Sequence, residues 1–80
     1  MQKEMVIDEI VNFYQANNLD FDVPLSFQYL FKTTGLSSDG LDEILRLFDD
    51  QGFLKDICWA DEIAFEFSLS KLGQKEFGLI

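Results

Sequence analysis

The 80-residue chain has no histidine, one cysteine, one proline and six lysines and arginines together. Each shortage excludes a kind of chemistry. Without imidazole no Ser-His-Asp triad exists, and a transition-metal cluster is left with almost no nitrogen or sulfur donors. Cys58 has no partner for an internal disulfide and no histidine to activate it, so it reads as a small buried hydrophobe in a reducing cytoplasm. No segment approaches the roughly 20 apolar residues of a membrane span. Glu4, Asp8 and Glu9 interrupt the apolar run that a signal peptide would need.

The shortage of cations carries furthest. Fifteen Asp and Glu against six Lys and Arg give a formal charge of -9. Nonspecific nucleic-acid affinity comes from cations that displace condensed counterions, so a surface this negative repels phosphate backbones, and anionic membrane surfaces with them. The plain counterpart is that such charge keeps a small protein soluble.

Apolar material is plentiful at 48% of residues, with nine Phe, two Tyr and one Trp, which is enough for a core. A chain of this size hides only about 60% of its unfolded surface, which implies one domain over residues 1–80. Between Lys3 and Asn17, Val6, Ile7, Ile10, Phe13 and Tyr14 stack on one helical face, and Asn17-Asn18 ends the helix. In "LDFDVPLS", residues 19 to 26, Leu19, Phe21 and Val23 alternate with Asp20 and Asp22. That pattern predicts a short half-buried strand, held to a sheet edge by Pro24. Ser26 caps a second helix through Phe27, Leu30 and Phe31 that closes at Gly35.

A third helix starts at Ser37 or Ser38, turns Leu41, Ile44, Leu45 and Phe48 to the core with Leu47 at the margin, and stops at Gly52. The period then changes to two. Phe53 to Trp59 pairs with a strand whose Ile63, Phe65, Phe67 and Leu69 face inward, and residues 60 to 62 form the hairpin tip. Ile57 and Trp59 take the inward side of the first strand. Trp59 is also, with Tyr29, Phe21 and Phe77, one of the rings left for the surface once Phe13, Phe27, Phe31, Phe48, Phe65 and Phe67 fill the core. Leu72, Phe77 and Ile80 mark a short terminal helix or turn that packs back.

The order helix, short strand, helix, helix, hairpin is that of a winged helix, an α+β fold. "LFKTTGLSSDGLDEILRLFDDQGFL", residues 30 to 54, resembles the helix-turn-helix of MarR- and PadR-like regulators, with Gly35 in the turn and Leu36 plugging the core. "FSLSKLGQKEF", residues 67 to 77, resembles their segment after the wing. The resemblance covers nearly the whole chain and implies a DNA-reading third helix, a β-hairpin wing and a closing helix. It also implies a dimer, although the family's dimers use helices beyond those available here.

The functional positions depart from that pattern. DNA-binding members present Arg, Lys, Ser, Thr, Gln or Asn to bases and phosphates. Here the outward sector of the third helix holds Asp39, Asp42, Glu43, Arg46, Asp49 and Asp50, and the wing tip carries Asp61 and Glu62. Each acid alone is ordinary solvated surface. Together they attract a basic partner across a Debye length of about 8 Å, and at the extreme they imitate a row of phosphates. The expectation is a non-enzymatic module without cofactor or metal that binds a basic protein surface on nucleic-acid machinery. The alternative is a weak DNA-binding regulator that uses Arg46, Ser38, Gln51 and the lysines, among which Lys55, Lys71 and Lys75 could gather beside the wing. Fifteen carboxylates make many accidental acid-base pairs, none framed by a catalytic motif, and the "DD" at 49 and 50 lacks EF-hand spacing.

Overall fold

The apolar stripe of the first segment forms α1, Gln2–Ala16, which buries Val6, Ile10 and Tyr14. The computed structural model describes residues 2–60 and 63–80, with the backbone alone for 63–65. Asn18 ends the helix region at φ 50°, a left-handed conformation that Asn tolerates. The Asn17 side chain donates back to the Phe13 carbonyl at 2.9 Å.

Residues 19–24 are not a strand. The Leu19 amide bonds to the Tyr14 carbonyl and the Val23 amide to the Asp20 carbonyl, which folds the segment into turns. The Tyr14 hydroxyl donates to the Val23 carbonyl at 2.8 Å. Leu19, Phe21 and Val23 are half-buried against the core while Asp20 and Asp22 are exposed, so the alternation in burial is real but a turn produces it. The strand is displaced beyond Pro24 to β1, Leu25–Ser26, which pairs antiparallel with Phe67 and Glu66. It stands at the edge of a three-stranded sheet ordered β1-β3-β2, where β2 is Leu54–Ala60 and β3 is Ile63–Leu69.

Serine hydroxyls start the remaining helices by accepting otherwise unsatisfied amides. Ser26 caps α2, Phe27–Thr34, and Gly35 closes it at φ 72°. Ser37 caps α3, Ser38–Asp50, and Ser70 caps α4, Lys71–Glu76. The expected inward face of α3 is correct, since Leu41, Ile44, Leu45 and Phe48 are all buried. These side chains join Val6, Ile10, Tyr14, Leu25, Leu30, Phe67 and Leu69 in one core, with α2 packed over β1 and β3 and α3 over β3 and β2.

Several expected core positions stand outside it. Phe31 is 43% exposed, because it lines an open groove with Gln28 and Ser38, and its ring's partner is Phe27, stacked at 6.3 Å. Leu72 and Ile80 are exposed, because α4 approaches the sheet through Gly73, whose missing side chain lets the helix lie against the Phe53 carbonyl. Phe77 does pack back, on Phe48 at 5.3 Å and Phe53 at 5.5 Å.

Two irregularities shape the hairpin. Lys55 pairs with Ser68 and Cys58 with Glu66, which leaves one extra residue in β2, and Asp56 takes φ 52° there. Trp59 then pairs with Ala64, which leaves one extra residue in β3 and restores the register. Cys58, expected to be buried, is exposed beyond the first bulge, and Trp59 is 45% exposed. The side chains of Ile63 and Phe65 and all of Asp61 and Glu62 lie outside the described residues.

Candidate interaction surface on the third helix

The third helix places its acids in two groups. Asp39, Glu43 and Asp50 are exposed on the side opposite the core. Asp42 and Asp49 are half-buried on one flank. Asp39 stands in the first turn, where the positive end of the helix favours a carboxylate. Asp61 and Glu62, expected to extend this surface at the wing tip, lie outside the described residues.

Arg46 is engaged within the fold. Its Nε donates to Asp42 Oδ2 at 2.8 Å, an i,i+4 ion pair. Its guanidinium carbon lies 5.0 Å from the centre of the Trp59 ring, within cation-π range. One cation thus links the acidic flank of α3 to β2. Asp42 Oδ1 is shielded from solvent and accepts no hydrogen bond among the described residues.

The lysines considered beside the hairpin stand on two elements, Lys55 on β2 and Lys71 and Lys75 on α4. Lys55 donates to Asp22 of the turn before β1 at 2.7 Å, and that hydrogen bond raises its pKa above the ordinary lysine value. Lys71 and Lys75 are exposed on α4, with Lys32 in the last turn of α2. Tyr14, far from the acidic face, has its pKa pushed up to about 12, chiefly by burial and then by the charge of Asp22.

Two open grooves accompany the face. One of about 560 Å³ runs between the start of α1 and α3, and Ile44 and Leu47 among its lining stand beside Glu43, Asp50, Lys3 and Arg46. Leu47 is 41% exposed there, in line with its marginal place on the helix. A second, of about 260 Å³, is lined by Phe27, Gln28, Phe31 and Ser38. Sequence reading named neither groove, because each depends on where neighbouring elements end. The contact of Arg46 with Trp59 was equally hidden, since it joins two elements whose relative placement only the fold supplies.

Among the described residues no group of three or more Cys, Asp or Glu is placed to hold a metal ion. No helix among them is long and apolar enough to cross a membrane. Comparison of the chain with protein-family models, with curated proteins and with solved structures gives no match.

Proposed function

We propose that this chain is a winged-helix interaction module, in which α3 occupies the place of the recognition helix and the β2–β3 hairpin that of the wing. The element order and the sheet order β1-β3-β2 support that assignment. The module binds a protein with a basic surface, of the kind found on nucleic-acid machinery, in a cytoplasmic setting. The observation that carries the reading is the outward side of α3: Asp39, Glu43 and Asp50 are exposed, and the helix's single arginine is paired with Asp42 instead of standing free to meet phosphate.

Electrostatics would govern such binding. Carboxylates at the rim of an interface speed encounter and reject anionic competitors, so capture weakens as salt rises. The test is the triple variant Asp42→Lys, Glu43→Lys, Asp49→Lys, used in affinity capture from lysate of the native host, with and without nuclease. The variant should fold and lose its partners by more than about tenfold. Undiminished capture would overturn the proposal. Duplex DNA titrated against the unmodified chain at low salt separates the regulator reading, and saturable binding at micromolar protein would favour that reading.

A further inference from the structure

We infer that the partner's contact is an extended segment alternating basic and apolar residues, which joins the open edge of β2 as a fourth strand beneath the acidic flank of α3. This inference rests on the proposed function and specifies the form its partner takes.

β2 ends the sheet on one side, and among the described residues no backbone hydrogen bond outside the sheet ladder involves positions 54–60. An open edge offers a row of backbone donors and acceptors that another extended chain satisfies. Folded proteins blunt such edges with charge and bulges. Lys55 and the bulge at Asp56 do this for the first half of β2. Beyond Asp56 the edge strand itself carries no charge: Cys58, Trp59 and Ala60 are exposed, and the second bulge puts its extra residue in β3, away from the open edge.

The helix above the sheet selects the occupant. α3 packs across β3 and β2, and Arg46 reaches over the Trp59 ring. The flank of α3 that carries Asp42 and Asp49 is therefore the one facing the hairpin. Side chains on an added strand alternate between the two faces of the sheet. Lysines or arginines on the upper face meet this flank, where Asp42 and Asp49 are half-buried, and apolar residues take the other face. A second copy of β2 is the wrong occupant, because each chain carries -9 and its own acidic flank. A basic helix satisfies the carboxylates and leaves the backbone edge unused.

The experiment uses the full chain and two synthetic peptides of roughly ten residues, about the upper length of a strand. One alternates Lys with Val; the other has the same number of lysines in an Ala-rich helical sequence. Amide hydrogen exchange of the free protein first identifies which amides among residues 57–60 face outward, and Pro is placed at one of these so that the β3 ladder remains. The alternating peptide should slow exchange of those amides, shift Trp59 fluorescence and bind about tenfold more tightly than the helical one, the worth of one or two added net hydrogen bonds. The Pro variant should lose that advantage while the slow amides of Phe67 and Leu69 report an intact fold.

Equal affinity for the two peptides, with exchange at 57–60 unchanged, overturns the strand proposal. If Lys at Asp42 and Asp49 weakens both peptides equally in that case, the acidic-face reading survives it. Binding of neither peptide overturns both. Protection of 57–60 that grows with protein concentration alone assigns the edge to a second copy and overturns the inference.

Discussion

The two ends of β2 differ in burial and in what holds them. At its base Leu54 is 7% exposed and adjoins the ring cluster of Phe48, Phe53 and Phe77. At its far end Cys58, Trp59 and Ala60 are exposed, and Arg46 of α3 covers the Trp59 ring. Buried apolar area fastens the base, whereas one cation shared between a carboxylate and a ring steadies the far end. Burial of a large side chain contributes a few kcal/mol, whereas a partly exposed cation-π contact contributes about 0.5–1 kcal/mol. A strand fastened at one end leaves the other available for binding.

The largest effect should come from Phe48→Ala, which empties the centre of the base and should cost about 3–5 kcal/mol in denaturant unfolding. A loss below about 1 kcal/mol would show that the ring cluster is not what holds the base. Next is alkaline pH, which loads Tyr14 in the layer behind the sheet. Its raised pKa means that the folded state keeps a proton the unfolded chain has lost. Stability is therefore complete below pH 10 and falls by about 2 kcal/mol by pH 12, the loss levelling off above that pH. Lys55, also raised, adds a loss in the same direction above its ordinary value. Tyrosinate absorbance followed beside unfolding midpoints checks both. In Tyr14→Phe the steep alkaline fall should flatten.

Gly73→Ala should cost about 1–3 kcal/mol, since a new Cβ runs into the Phe53 carbonyl, whereas Leu72→Ala beside it should cost under about 1 kcal/mol. Equal losses at the two positions would mean that α4 is not seated through Gly73. At the far end Arg46→Ala should cost no more than about 1 kcal/mol yet change Trp59 fluorescence clearly. An unaltered emission spectrum would remove the link between α3 and β2. The smallest change is a gain: Asp56→Gly should stabilise by up to about 1 kcal/mol, because glycine takes φ 52° without a Cβ clash.

Much of this arrangement was legible in the sequence. The core face of α3, the serine caps at Ser26 and at Ser37 or Ser38, and the ends at Asn17-Asn18 and Gly35 follow from helix period and local hydrogen bonding, which need no knowledge of distant residues; the structure selects Ser37 and Asn18. The misreadings share a cause: periodicity says which side a residue faces and is silent on whether anything lies there. Phe31 is on the side of α2 that carries Phe27, but it opens into a groove instead of the core. Leu72 was expected to fill space that Gly73 closes by letting α4 approach the backbone of Phe53. Cys58 lies beyond a bulge that shifts the alternation, and nothing in "LKDICWA" marks it except an Asp able to take a left-handed conformation. The acids of α3 were legible by position. The capture of Arg46 by Asp42 and Trp59 was not, since it depends on how α3 lies across the hairpin.

The two bulges also determine how this hairpin can change in length. The extra residue in β2 is matched by one in β3, so Leu54 opposite Leu69 and Trp59 opposite Ala64 stand in the same frame. Deleting Ile57 alone removes the bulge in β2, and deleting Phe65 alone removes the one in β3; in each case the other bulge remains, and Leu54 stays opposite Leu69 and Trp59 opposite Ala64. Deleting both returns a plain ladder with the same pairings at its two ends. Either strand of this hairpin can therefore shorten at its own bulge without turning the far end over.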